Sequence, residues 1–160
     1  MKLELEIQSD LSATPERVYD LACSDENLPR FFQRSGAIPG VTGSRALAAE
    51  PNELARREVM LSDGTSMVEI ITARERPHTQ HYSWAHAPAP PLHLLVRGAE
   101  AKWKFQPAAG GGRTRVSLQY TFLLTSRLAL PFALVVRALF KRWLTAALAR
   151  IKLEAEAPAA

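Results

Sequence analysis

Residues 126–153 read SRLALPFALVVRALFKRWLTAALARIKL, and the reading of this stretch decides the fold. Proline has no N–H to donate and a fixed φ, so Pro131 belongs in the first turn of a helix that begins near Leu130. Phe132, Val136, Phe140, Trp143, Ala147 and Ile151 then recur every three or four residues and make one apolar face. At about 1.5 Å per residue the element runs roughly 35 Å, enough to cross a small domain. Such a face requires a concave partner, and the strands that precede it are the candidates.

Those strands are legible by alternation. Residues 2–8 (KLELEIQ) place Leu3, Leu5 and Ile7 opposite Lys2, Glu4, Glu6 and Gln8, the period of a half-buried strand. A short helix follows, with Thr14 as N-cap, Pro15 in its first turn, and Val18, Leu21 and Ala22 facing inward. Asp25 is placed to cap a second, shorter helix with Leu28, Phe31 and Phe32 on its apolar side. From Gly36 the texture is that of strands. Residues 38–47 contain Pro39, Gly40 and Gly43 and suit a bulged strand. Residues 53–61 and 65–74 are joined by Ser62-Asp63-Gly64, a hairpin signal. Residues 79–86 (TQHYSWAH) read as a further strand, which the prolines of Ala87-Pro88-Ala89-Pro90-Pro91 end. In residues 99–106 and 114–124 the apolar set Ala99, Ala101, Trp103, Phe105, Val116, Leu118, Tyr120 and Phe122 alternates with polar residues across the Gly110-Gly111-Gly112 turn. The order of elements predicts an α+β fold: a curved antiparallel sheet of about seven strands around a long C-terminal helix, with two short helices after the first strand.

The composition limits the function classes. A chain of 160 residues, 47% hydrophobic and 22% charged, suits one globular domain, placed at residues 1–154 with 155–160 as a disordered tail. No apolar leader or membrane span is visible, so a soluble, cytoplasmic protein is expected. The single cysteine, Cys23, permits no intramolecular disulfide and disfavours a zinc cluster. The net charge of +4 hides an asymmetry, because residues 101–153 hold ten Lys and Arg and no acid. This is read as the solvated face of one strand pair and the last helix, with a membrane surface the less favoured partner. The basic residues lack interleaved exposed aromatics, so no nucleic acid is expected. No Ser-His-Asp order, phosphate loop or HExxH motif is present, no catalytic residue is assigned, and no cofactor or metal is expected.

Several stretches carry a family resemblance. ATPERVYDLACSDENLPRFF resembles the opening helices of the START-related, Bet v 1-like (SRPBCC) superfamily, and MVEIITARERPHTQHYSW its central strands and proline turn. AKWKFQPAAGGGRTRVSLQYTF is similar to its last hairpin, and LPFALVVRALFKRWLTAALARIK to its closing helix. Within that superfamily the chain looks most like bacterial polyketide cyclase/dehydrase-like proteins. The resemblance covers essentially the whole chain, and its motifs are structural rather than catalytic. It implies the helix-grip fold, with a cavity between sheet and helix for a hydrophobic small molecule. Ring-closing catalysis and peripheral lipid handling are the alternatives.

The candidate lining of that cavity is Tyr82, Trp84, His86, Arg97, Trp103, Phe105, Tyr120, Phe122 and Phe140. Tyr120 stands out because a buried hydroxyl needs a partner and can orient a ligand oxygen. Alternation sends Tyr82, Trp84 and His86 to one face and His81 to the other. His86 is either a general acid or base or the strand's last residue bonded to a backbone carbonyl. Arg97 follows the Pro-rich segment, where a loop over the cavity mouth would let it bind a ligand carboxylate or phenolate, and a plain surface arginine is the commoner reading. Glu69 shares a face with Met67 and Ile71. It is expected on the outer side, paired to an arginine such as Arg56, because Val68 and Ile70 offer an equally apolar inner face.

Overall fold

The structure, a computed structural model, describes residues 1–158. The chain runs β1 (Lys2–Leu11), α1 (Pro15–Cys23), α2 (Leu28–Phe31), β2 (Val41–Leu47), β3 (Ala55–Leu61), β4 (Ser66–Glu75), β5 (Thr79–Trp84), β6 (Val96–Pro107), β7 (Thr114–Leu124) and α3 (Leu130–Glu156). The seven strands form one antiparallel sheet in the order β1-β7-β6-β5-β4-β3-β2. This is the helix-grip architecture expected of the sequence.

Local chemistry explains the joints. The Thr14 hydroxyl accepts from the Arg17 N–H at 3.4 Å, and Pro15 fills the first turn of α1. In the β3–β4 hairpin, Asp63 Oδ1 accepts from the Thr65 N–H at 2.9 Å, and Gly64 takes a φ of 85° that disfavours a side chain. Register slips lie between Val41 and Gly43, Ile71 and Ala73, and Val96 and Gly98. Such irregularities bend a strand, and here three of them curve the sheet into the concave wall that α3 needs.

The core lies between that wall and the helices. Leu5, Ile7 and Leu11 of β1, Val116, Leu118, Phe122 and Leu124 of β7, and Leu144, Ala147, Leu148 and Ile151 of α3 are buried in it. The C-terminal half of α3 is held closely. Arg17 donates to the carbonyls of Ala155 and Glu154 at 2.9 Å each, and Arg150 donates to the Phe31 carbonyl at 2.9 Å. The first of these donors satisfies a carbonyl of the last helical turn, and the second adds to the Ala157 N–H that already reaches the Glu154 carbonyl at 3.2 Å.

The expected start of α3 holds, but two features of the element differ from expectation. Its end lies at Glu156, and Ala155 is buried, so the segment read as a frayed tail begins as helix; residues 159 and 160 lie outside the described residues. Phe132, read as part of the inward face, is 65% exposed. The first turns of α3 overhang an opening in the sheet, where no wall exists to bury them. Asp25 also behaves differently. It makes no capping hydrogen bond, because its carboxylate is taken by Arg57 Nη1 at 2.6 Å. Among the described residues no helix is long and apolar enough to cross a membrane.

Candidate functional site

The sheet and α3 do not close on each other. Between them lies a cavity of about 510 Å³, within the range of small-molecule sites. Val59, Met67, Tyr82, Trp84 and Tyr120 form its sheet side, and Val136, Leu139, Phe140 and Trp143 its helix side. The segment from Pro88 to Leu95 forms one lip of the mouth, with Phe132 at the start of α3 beside it.

Strand alternation places the aromatic floor. Tyr82 pairs with Ala101, which pairs with Tyr120, so the two tyrosines flank Ala101 on one rung and project from the concave face. Their hydroxyls meet at 2.8 Å. Phe140 stands edge-on to Tyr120 with ring centroids 5.0 Å apart, and Trp84 meets Tyr120 at 6.5 Å in the same manner. Burial raises the pKa of both tyrosines above the ordinary phenol value, so both stay protonated at neutral pH. One hydroxyl donates to the other, and the acceptor's own proton remains free.

Beside the tyrosines sits a charged cluster. Arg57 and Glu69 face each other across the β3–β4 ladder, and both are buried. Arg57 Nε donates to Glu69 Oε2 at 2.8 Å, Nη2 lies 2.7 Å from the same oxygen, and Nη1 reaches Asp25. The guanidinium also stands 5.3 Å from the centre of the Tyr82 ring. Burial opposes the Arg57 charge, but Glu69, Tyr82 and Asp25 outweigh that and raise its pKa. Burial likewise pushes the Glu69 carboxyl above the ordinary carboxylate range, and Arg57 pulls in the other direction. Among the described residues, Glu69 Oε1 receives no hydrogen bond from the protein, and Glu69 lines the cavity.

The residues expected at this site divide into three groups. Tyr82, Trp84, Tyr120 and Phe140 line the cavity. Trp103, Phe105 and Phe122 are buried but stand outside the lining. The Trp103 and Phe105 rings stack at 5.8 Å, Phe105 also meets Tyr19, and Phe122 packs against Trp84 and Phe140. They are core, because α1 and the middle of α3 cover that part of the wall. His86 and Arg97 are not brought to the cavity. β5 ends at Trp84, so the alternation that placed His86 inward stops short of it; His86 is exposed, with Nδ1 2.8 Å from the Ala87 carbonyl. Arg97 lies within β6 rather than in a loop and is exposed, between the buried Val96 and Gly98.

Glu69 is a further correction. It faces inward, with Met67 and Ile71 buried on the same side, while Arg56 pairs with Glu53 at 2.9 Å. Arg57 and Asp25 are the functional candidates that the sequence reading missed. Alternation in Ala55–Arg57–Val59 carried the signal for Arg57, since Val59 is an inward residue. Cys23 lies near this cluster, and burial drives its thiol pKa up, so it is no ready nucleophile. No group of three or more metal-ligating side chains occurs among the described residues.

Known proteins place this geometry. Among solved structures, the chain is similar to the di-domain ARO/CYC BexL from the BE-7585A biosynthetic pathway (TM-score 0.72, 18% identity), covering 99% of this chain and 51% of that one. It thus spans about half the length of that protein. It is also similar to the Zhui aromatase/cyclase from Streptomyces sp. R1128 (TM-score 0.70, 13% identity, 98% of this chain and 94% of that one). Ara h 8.0201 matches with a TM-score of 0.66 at 13% identity, over 97% of this chain and 98% of that one. At such identities these likenesses establish the fold alone. No curated protein matches the chain by sequence. The profile of the family described as "Polyketide cyclase / dehydrase and lipid transport" matches residues 2–156. With that match, and the helix-grip fold around a cavity, the chain belongs to this family within the SRPBCC superfamily.

Proposed function

We propose that the protein binds one apolar small molecule with a neutral, hydroxyl-type polar end in the cavity between the sheet and α3. The observation that carries this reading is the pairing of an apolar volume with a small polar patch of defined chemistry. The Tyr82–Tyr120 pair offers one free O–H donor, and Glu69 Oε1 offers an acceptor. A hydroxyl can donate to the second and accept from the first. A ligand carboxylate suits the patch less well, because the Arg57 guanidinium is already committed to Glu69 and Asp25 and has no charge to spare.

A pair of probes of the same size tests this. Intrinsic tryptophan fluorescence, to which Trp84 and Trp143 in the lining contribute, is followed while 2-naphthol or 2-naphthoate is added. The naphthol is expected to bind roughly tenfold more tightly, and Glu69→Gln to narrow the gap. Tighter binding of the naphthoate would refute the reading.

A second reading, ring closure of a polyketide-type chain, is favoured by one observation: a carboxyl with a raised pKa and phenols that stay protonated border one cavity. In it, Glu69 removes a proton from a carbon between two carbonyls. The resulting enolate attacks a third carbonyl to form the C–C bond, and the tyrosine pair protonates the new alkoxide. Glu69→Gln and Tyr120→Phe would each abolish cyclisation of a poly-β-ketone analogue while still binding naphthol. Unchanged turnover in both variants would end this reading.

A further inference from the structure

We propose that the mouth of the cavity, with the outward side of the first turns of α3, docks onto an anionic lipid bilayer. The surface is apolar where solvation should make it polar. Leu128 is 87% exposed, Phe132 and Leu94 65% each, Val135 61%, and Leu134 is exposed beside them. Single exposed apolar residues are ordinary, but a cluster around an opening is not. Phe132 and Leu94 also line the cavity, so they are its rim. Thr125 joins the two lips, its hydroxyl donating to the Leu94 carbonyl at 2.7 Å and its N–H to that of Leu95 at 3.0 Å. Leu128 and Phe132 follow directly.

The charges around this patch select the occupant. Arg127 precedes Leu128. Lys141 and Arg142 lie seven residues beyond Leu134 and Val135, two turns along the same lines of the helix. All three cations are exposed, and none takes part in the ion pairs formed among the described residues. Residues 101–153 contain no acid, and Glu6 of β1 borders the groove that Lys141 lines without forming an ion pair with it. Arg137, on the same stretch of helix, has its Nε shielded from solvent without a hydrogen-bond partner. Among the described residues the cavity lining contains two acids, Glu69, which is paired with Arg57, and Asp63, at the tip of the β3–β4 hairpin, where it is held by Thr65. Apolar side chains flanked by unpaired Lys and Arg suit a membrane interface, in which the apolar groups enter the acyl boundary and the cations meet phosphate. A second copy packed face to face would set the same cations against each other. The site is independent of which molecule the cavity holds, but an apolar guest could then pass between bilayer and cavity through the buried mouth without crossing water.

Vesicle flotation with the full chain tests the proposal. Phosphatidylcholine vesicles containing phosphatidylglycerol are expected to carry the protein at low salt and to release it at high salt, and pure phosphatidylcholine to carry little. Leu128→Ser with Val135→Ser, and separately Arg127→Glu with Arg142→Glu, should each lower the bound fraction roughly tenfold. None of these four residues lines the cavity, so naphthol binding without vesicles should be unaltered; its failure alone would count against the cavity reading and not against this one. Absence of flotation at low salt would overturn the proposal. So would equal binding to neutral vesicles, or variants that float like the parent. Self-association abolished by Leu128→Ser, without vesicle binding, would assign the face to a second copy and overturn it as well.

Discussion

Arg57 and Glu69 stand opposite one another across the β3–β4 ladder and share a buried ion pair at 2.7–2.8 Å on the wall of the cavity. Removing one partner of such a pair leaves an uncompensated buried charge, whereas replacing both with apolar side chains does not. Arg57→Ala should therefore destabilise the fold by about 3–5 kcal/mol in denaturant unfolding, and Arg57→Met with Glu69→Leu should recover most of the loss. A single-variant loss below about 1 kcal/mol would mean that water reaches the pair and screens it.

Trp143 joins α3 to the short helices. Its Nε1 donates to the Gln33 carbonyl at 2.8 Å, and its ring packs on Phe32 and Phe140 at 5.3 and 5.1 Å. Trp143→Ala should cost about 3–5 kcal/mol. Trp143→Phe keeps most of the packing and loses the hydrogen bond, at about 1 kcal/mol. Equal losses from the two variants, measured by urea unfolding, would show that the hydrogen bond rather than the packing dominates.

All three tyrosines of the chain, Tyr19, Tyr82 and Tyr120, are buried and have pKa values raised above the ordinary 10.0 by that burial. The charged form is the deprotonated one. The unfolded chain therefore releases these protons near pH 10 while the folded chain retains them, and stability falls as pH rises above that value. Tyrosinate absorbance should lag behind that of the urea-unfolded protein and appear together with unfolding. A folded protein that titrates normally would contradict the buried placement.

The sequence carried the architecture because each element had its own signal: alternation in Leu3–Ile7 and in Trp103–Phe122, a cap and proline at Thr14–Pro15, the proline start of α3. The site was harder to read for identifiable reasons. In Met67–Ile71 both faces are apolar, so alternation fixes a face without saying which one is inward. The decision belongs to Arg57 on the next strand, which pairs with Glu69 across the ladder. Asp25 reaches Arg57 over a sequence separation of 32 residues, and no local pattern encodes such a contact. Periodicity put Phe132 on the inward stripe, but it is exposed, because burial there depends on where the wall ends. Trp103, Phe105 and Phe122 share one alternating face with Tyr120, and only the packing of α1 and α3 divides core from lining.

Filling the cavity tests the central claim most directly. N-phenyl-1-naphthylamine, an uncharged fluorophore that brightens in apolar surroundings, is titrated into the parent protein and into Val136→Trp, which places a larger side chain on the helix side of the cavity. The account predicts saturable binding of one fluorophore per chain in the parent and a loss of roughly tenfold or more in the variant, with the fold intact by circular dichroism. Equal binding by the two proteins, or none by the parent, would contradict a guest-holding cavity between sheet and helix.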